Sequence, residues 1–241
     1  MDSSIIIPRD VANRLIKDIR QIIRNPLIEH GIHYQHDQIN MLKGYAMIIG
    51  PHNTPYENGY YLFEFNFPAN YPNSPPVVIF HTNDGVTRFN PNLYKNGKVC
   101  VSVLNTWSGE QWSGCQTISS ILLTLCSLLC ENPLLNEPGI TTASFSNQCQ
   151  IYRDIIEYKN IEFAIGHFIS KKYKLNSNFE EFYPIMVNVF NENYNVLISK
   201  LESKILTTKN TNLYNSTYNM HTYINFTGLL KFIKECNIII N

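Results

Sequence analysis

Residues 89–112 read FNPNLYKNGKVCVSVLNTWSGEQW, a stretch in which a tight turn is followed at once by a cysteine. Asn96-Gly97 is a strong signal for a short turn, because both residue types tolerate positive φ. Cys100 follows in the short β-type run 98–101. A cysteine in a polar loop is a better nucleophile candidate than one in an apolar helix, where the thiolate is disfavoured. The stretch therefore predicts a reactive thiol presented by a turn.

Asn92 lies eight positions before Cys100 on the other side of this turn. If the loop folds back, the Asn92 amide could donate a hydrogen bond to an oxyanion at a carbonyl attached to the cysteine sulfur. We therefore take Asn92 as a second candidate site residue.

Composition and charge narrow the class of protein. The chain has 241 residues, which is enough for one sizeable core with an appendage or for two small domains. Its 44% hydrophobic and 16% charged residues fit a globular protein rather than a disordered one. A formal net charge of zero, from 19 basic and 19 acidic side chains, argues against a general nucleic-acid or membrane-surface binder.

The cysteines do not form a metal or redox motif. No Cys-x-x-Cys pair occurs, which argues against a zinc ribbon or a dithiol centre. Cys126 and Cys130 share one helical face, but they lack a partner set of His or Cys and are better explained as core thiols. The six cysteines are Cys100, Cys115, Cys126, Cys130, Cys149 and Cys236.

The sequence gives no targeting or membrane signal. The apolar run at residues 5–7 is too short for a signal peptide, and no run reaches transmembrane length. The expectation is a reducing compartment, the cytoplasm or the nucleus.

Hydrophobic spacing predicts a helix, then strands, then helices. A helix begins at Pro8 and ends at Asn25-Pro26. Three short strands follow, over residues 40–50, 61–67 and 77–80, and short successive strands favour an antiparallel meander. After the cysteine stretch, Thr117 is a plausible N-cap of a long helix that Pro133 stops.

The remaining residues are predicted to be mainly helical. One or two helices are expected over residues 147–172, another over 179–206 and a last one over 224–233. Residues 209–225 are polar and are predicted to form a loop.

The cysteine stretch resembles the active-site segment of ubiquitin-conjugating enzymes. That family shows His-Pro-Asn, a short loop with Asn-Gly, the catalytic cysteine and then a tryptophan before a long helix. The Z subgroup is more similar still, and the resemblance covers roughly residues 8–165. The matching residues are Asn90-Pro91-Asn92, Asn96-Gly97, Cys100 and Trp112, and for the Z subgroup also Arg88–Asn92, Gly97–Cys100, Thr106–Gly109, Glu131–Pro133 and Asn136–Gly139.

The resemblance implies an α+β ubiquitin-conjugating fold. The expected order is an N-terminal helix, a four-stranded antiparallel meander, the following helices and a helical C-terminal extension. The catalytic core would occupy residues 1–172, and the extension, residues 173–241, would pack on it or beside it.

The resemblance also implies a transferase activity. Cys100 would accept ubiquitin or a ubiquitin-like modifier from an activating enzyme as a thioester, and would pass it to a substrate lysine or to a ligase. Asn92 would stabilise the oxyanion or support the loop, and Asn136 matches the position that gates the active site. No metal or cofactor would be bound, since the upstream activating enzyme consumes ATP. Neither nucleic acid nor membrane is an expected partner.

The chain departs from the common family pattern at four places. Asn90 replaces the usual histidine, as it also does in the Z subgroup. An insertion at residues 107–110 moves Trp112 away from the cysteine. The loop Ser113-Gly114-Cys115 replaces Ser-Pro-Ala, and Asn73 replaces an apolar residue. The last two places normally help to bind ligases, which puts the common ligase partners in doubt.

Three other functions fit these residues less well. A non-catalytic ubiquitin-binding scaffold of the same fold would lack the cysteine. A cysteine hydrolase needs a positioned histidine base, and neither His81 nor His167 sits in a hydrolase signature. The sequence does not match a phosphate-binding P-loop, because Asn92 occupies the position that requires Gly and Val99 the position that requires Ser or Thr.

Overall fold

The structure is a computed structural model that describes residues 7–240. Ile5 and Ile6 of the short apolar run, and the first six residues of the predicted core, lie outside the described residues. Within residues 7–240, no helix combines the length and the apolarity needed to cross a bilayer.

The N-terminal half is a helix followed by a four-stranded antiparallel sheet, as predicted. Helix α1 spans Arg9–Arg24, and the strands pair in the order β1-β2-β3-β4. The sequence pattern does not predict the strand at Ile32–His36, because IHYQH has only one strongly apolar residue and shows no alternation. The strands are β1 Ile32–His36, β2 Lys43–Ile49, β3 Tyr60–Asn66 and β4 Val77–Phe80.

Strand β3 is buried on both faces. Its alternation of aromatic and other residues suggests one covered face, but only Asn66 of the strand is not buried. On one face, Tyr61 donates a hydrogen bond to Asn160 Oδ1 at 2.6 Å. On the other, Tyr60 donates to the Met186 carbonyl at 2.7 Å, so a segment of the C-terminal extension covers this side of the sheet.

Two long helices follow the cysteine stretch. Helix α2 spans Ile118–Ser127, and Thr117 caps it as predicted, with its side chain accepting from Ser120 N. Helix α3 spans Thr142–Lys159 and continues directly into a π-helical segment, Asn160–His167. The helices expected over residues 147–172 are therefore one continuous helical run.

In its described residues, the C-terminal extension contains a 3-10 helix at Ser177–Phe182, two α-helices and a β-hairpin. Helix α4 spans Tyr183–Thr207 and α5 spans Phe226–Ile240, which confirms the helical prediction for these parts. The loop predicted over residues 209–225 is wrong, because strands β5 and β6 pair there. Strand β5 spans Thr211–Asn215 and β6 spans Met220–Ile224.

The hairpin was not predicted because only four of its ten strand residues are buried. In β6, Met220, Thr222 and Ile224 are buried, whereas His221 and Tyr223 are exposed. A segment with so few apolar residues forms a strand only when another element covers one of its faces. Here α3 packs against the hairpin. The boundary between core and extension at residues 172 and 173 stays a prediction.

Phe179 tests how strongly the extension stabilises the sheet. Its ring is buried and lies 5.4 Å from the Tyr45 ring and 5.0 Å from the His81 ring. Phe179→Ala should lower the free energy of unfolding by about 3–5 kcal/mol, because it removes a buried aromatic side chain. Urea unfolding followed by circular dichroism measures the change.

Leu206→Ala is the matched control, since Leu206 is 87% exposed on α4. Its effect should stay within about 0.5 kcal/mol. Equal effects of the two substitutions would mean that the extension adds no stability to the sheet.

Candidate active site

The turn at Asn96-Gly97 brings Asn92 and Cys100 side by side. Gly97 has φ +85°, the left-handed conformation that the turn requires. Cys100 N donates to the Asn92 carbonyl at 2.9 Å, and Asn92 Nδ2 donates to the Cys100 carbonyl at 2.7 Å. The fold-back expected from the sequence is therefore present, with two hydrogen bonds joining the residues.

Asn90 fixes Asn92 from the interior. Asn90 is fully buried, and its Oδ1 accepts from Asn92 N at 2.9 Å. Its Nδ2 donates to the Tyr56 hydroxyl at 3.1 Å and to the Leu128 carbonyl at 2.8 Å. An amide offers one acceptor and two donors, so an asparagine at this place satisfies all three contacts. Asn90, which replaces the histidine usual in the family, thus contributes to the packing of the loop.

Asn136 joins this loop indirectly. Its side chain is partly exposed, and Nδ2 donates to the Leu128 carbonyl at 3.3 Å, the oxygen that Asn90 also uses. The structure therefore brings Asn92 into direct contact with Cys100 and connects Asn136 to them through Leu128 at the end of α2.

Cys100 itself is only 2% exposed. Thr106 supports the main chain on both sides of Cys100, because Thr106 Oγ1 accepts from Val101 N at 2.9 Å and lies 2.9 Å from the Val99 carbonyl. The thiol thus lies in a largely enclosed setting, with hydrogen bonds to the main chain on either side of it.

The insertion after Cys100 is anchored at both ends. Trp112 N donates to Asn105 Oδ1 at 2.8 Å, and Trp112 Nε1 donates to the Pro72 carbonyl at 2.7 Å. Beyond Trp112, the Arg14 guanidinium of α1 donates to the carbonyls of Gly114 and Gln116. Residues 107–110 lie between these anchors as a surface loop.

Arg88 is a site residue to which the sequence assigned no role. Its guanidinium lies 3.3 Å from the centre of the Tyr94 ring, a close cation–π contact. Nε donates to the Asn90 carbonyl at 3.1 Å, and Nη2 donates to the Pro91 carbonyl at 2.6 Å. Arg88 therefore holds the two peptide units that precede Asn92. The position of Arg88 at the start of the Arg-Phe-Asn-Pro-Asn motif is the one sequence feature that could have indicated this role.

Among residues 7–240, the other thiols and the acidic groups do not assemble a metal site. Burial raises the pKa of the Cys126 and Cys130 thiols, which favours the protonated form. In the described part of the chain, no three His, Cys, Asp or Glu side chains lie together as metal ligands would.

The site lies within the range that matches a known family. A family model described as "Ubiquitin-conjugating enzyme" matches residues 14–160, more than half of the chain. The chain belongs to the ubiquitin-conjugating enzyme family. The matched range includes Asn92, Cys100 and Asn136 and ends before the extension. The predicted family and fold are thereby confirmed.

Curated relatives support the likeness to the Z subgroup. Ubiquitin-conjugating enzyme E2 Z of Homo sapiens is 42% identical over 153 residues, 63% of this chain and 43% of the relative. The Xenopus tropicalis protein of the same name is 41% identical over 160 residues, 66% of this chain and 50% of the relative. Probable ubiquitin-conjugating enzyme protein 17 of Caenorhabditis elegans is 33% identical over 176 residues, 68% of this chain and 24% of the relative. The chain spans about half the length of the Z relatives.

Asn90→Ala tests the buried amide. The substitution should lower the free energy of unfolding by about 1–3 kcal/mol, since it leaves the buried Asn92 N–H without its acceptor and removes one donor from the Leu128 carbonyl. Thermal unfolding measures the change. Asn191→Ala, on the exposed side of α4, is the matched control and should be nearly neutral. A neutral Asn90→Ala would contradict the assigned role of this side chain.

Proposed function

We propose that this chain is a catalytic ubiquitin-conjugating enzyme that carries ubiquitin or a ubiquitin-like modifier on Cys100. The observation that supports this proposal is the double hydrogen bond between Asn92 and Cys100, in a chain that belongs to this family. A cysteine held by its main chain, next to an amide donor, has the parts that acyl transfer needs.

Loading is a thioester exchange. The Cys100 thiolate attacks the thioester carbonyl of the modifier on an activating enzyme. The new carbon–sulfur bond forms, the old one breaks, and the cysteine of the activating enzyme leaves as a thiolate. The energy of the activated bond is conserved, so this chain needs no nucleotide of its own, and the upstream enzyme consumes the ATP.

Transfer is an aminolysis or a second thioester exchange. A deprotonated lysine amine attacks the Cys100 thioester, a carbon–nitrogen bond forms, Cys100 leaves as a thiolate and the amine releases a proton to water. A ligase cysteine would attack in the same way. Partial removal of water near Asn136 would lower the pKa of the incoming amine and favour its reactive form.

Asn92 is proposed to act in two ways with one amide. An amide nitrogen carries two N–H groups. One holds the Cys100 carbonyl, as the 2.7 Å contact supports, and the other would donate to the oxyanion that forms during transfer. Loop support and oxyanion stabilisation are therefore compatible roles.

The proposed partners follow from the same chemistry. They are the modifier, an activating enzyme, protein substrates and, in some transfers, a ligase, in the cytoplasm or the nucleus. Asn73 and the loop Ser113-Gly114-Cys115 would favour ligases other than the common ones. Neither a metal nor a nucleic acid takes part in the proposed steps.

A non-catalytic ubiquitin-binding scaffold is the second candidate. The observation in its favour is the 2% exposure of Cys100, because a thiol that exchanges thioesters must be reached. A scaffold would bind the modifier without forming a covalent bond.

Thioester formation separates the two candidates. Incubation with ubiquitin, ATP and each of two activating enzymes should give a ubiquitin adduct that a reductant removes on gels. Cys100→Ala should abolish it. Cys115→Ser, at an exposed cysteine of the neighbouring loop, is the matched control and should leave it intact. No adduct with ubiquitin or with a ubiquitin-like modifier would favour the scaffold.

The role of Asn92 has a separate test. Asn92→Ala should slow discharge of the preformed Cys100 thioester to free lysine about 100-fold, the scale expected for loss of one oxyanion donor. Single-turnover discharge measures the rate, and Asn191→Ala should discharge as the unaltered protein does. A rate reduced less than about threefold would leave Asn92 without a role in transfer.

A further inference from the structure

The β5–β6 hairpin of the extension contacts the active-site loop. Tyr218 lies in the turn between the two strands, and its ring centre is 5.2 Å from the Arg88 guanidinium. Arg88 N also donates to Met220 Sδ at 3.2 Å. The hairpin thus meets the residue that holds the carbonyls of Asn90 and Pro91.

The same tyrosine also contacts the segment that carries Asn136. The Tyr218 hydroxyl donates to the carboxylate of Glu137, the neighbour of Asn136. Burial raises the pKa of Tyr218, and the hydrogen bond to Glu137 raises it further, so the hydroxyl keeps its proton at neutral pH and stays a donor. One side chain therefore bridges the segments that carry Asn92 and Asn136.

Helix α3 fixes the hairpin turn in place. Tyr218 N donates to Asn215 Oδ1 at 3.2 Å, and Asn215 is fully buried. Gln148 Oε1 of α3 accepts from Asn215 Nδ2 at 3.1 Å and from Ser216 N at 3.0 Å. One turn further along α3, Tyr152 donates to the Arg88 carbonyl at 2.6 Å. The turn is thus anchored to the same helix that supports Arg88.

We propose that Tyr218 is a positioning residue for the transfer step. It would hold Arg88, and through it the peptide units before Asn92, at a fixed spacing from Glu137 and Asn136. That spacing would determine how an incoming amine meets the Cys100 thioester. The extension would then be a functional part of the active site. This inference rests on the proposed function.

Tyr218→Phe removes the hydroxyl and keeps the ring. The protein and the variant are charged with fluorescent ubiquitin, charging is stopped, and discharge is followed over a range of free-lysine concentrations. The limiting discharge rate should fall about tenfold, the scale of one hydrogen bond to a charged group, with the half-saturating lysine concentration unchanged. Tyr223→Phe, an exposed tyrosine of the same hairpin, is the control and should match the unaltered protein.

A double-mutant cycle identifies the partner. Glu137→Ala should slow discharge about as much as Tyr218→Phe, and the double variant should be no slower than either, because both remove one contact. Glu137→Gln keeps an acceptor and should retain most of the rate. Additive losses would overturn the proposed link.

The discharge rate separates positioning from simple stabilisation. It is a first-order property of molecules already charged, so a loss of folded protein lowers the amount charged and leaves the rate unchanged. If the unaltered protein charges and Tyr218→Phe discharges at the same rate, the inference is wrong and the proposed function stands. If the unaltered protein forms no thioester, both are wrong. If only Tyr218→Phe fails to charge, the discharge rate of Glu137→Ala tests the inference instead. An unchanged discharge rate for that variant would overturn it.

Discussion

The buried amide of Asn90 is the constraint on which the active site depends. An amide inside a protein is costly unless each of its polar atoms has a partner. Asn90 bonds to Tyr56 and Leu128, which belong to two distant segments, and to Asn92 of its own loop. None of these segments can move without breaking a buried hydrogen bond. Because Asn92 in turn holds Cys100, the position of the candidate nucleophile follows from the packing of the core.

Features specified by neighbouring residues could be predicted from the sequence. The chemistry of Asn96-Gly97 predicts the turn that pairs Asn92 with Cys100, because it concerns the backbone of two adjacent residues. Thr117 predicts a helix start for a similar local reason, and the alternation in residues 61–67 predicts β3. Recognition of the family motif added the order of the strands and the identity of the candidate nucleophile.

Features that depend on distant partners could not be predicted. Arg88 and Met220 are 132 residues apart in the chain, and nothing near either residue indicates their contact. The hairpin is a strand pair only because α3 covers one of its faces, and the 2% exposure of Cys100 results from residues packed around it. Two of the partners of Asn90 are also distant in sequence, Tyr56 by 34 residues and Leu128 by 38. Tertiary packing overrides local preference at each of these places.

The anchored loop between Asn105 and Gln116 has a consequence for how such enzymes can diverge. Trp112 N bonds to Asn105 Oδ1 across the base of residues 106–111, and hydrogen bonds to Pro72 and Arg14 hold the C-terminal end of the loop. Doubling the length of a flexible loop costs only about 0.6 kcal/mol of closure entropy. Residues can therefore be gained or lost at positions 107–110 at little cost. Because Gly109 lies against Ser102, close to Cys100, such length changes would reshape the entrance to the thiol while leaving its support unchanged.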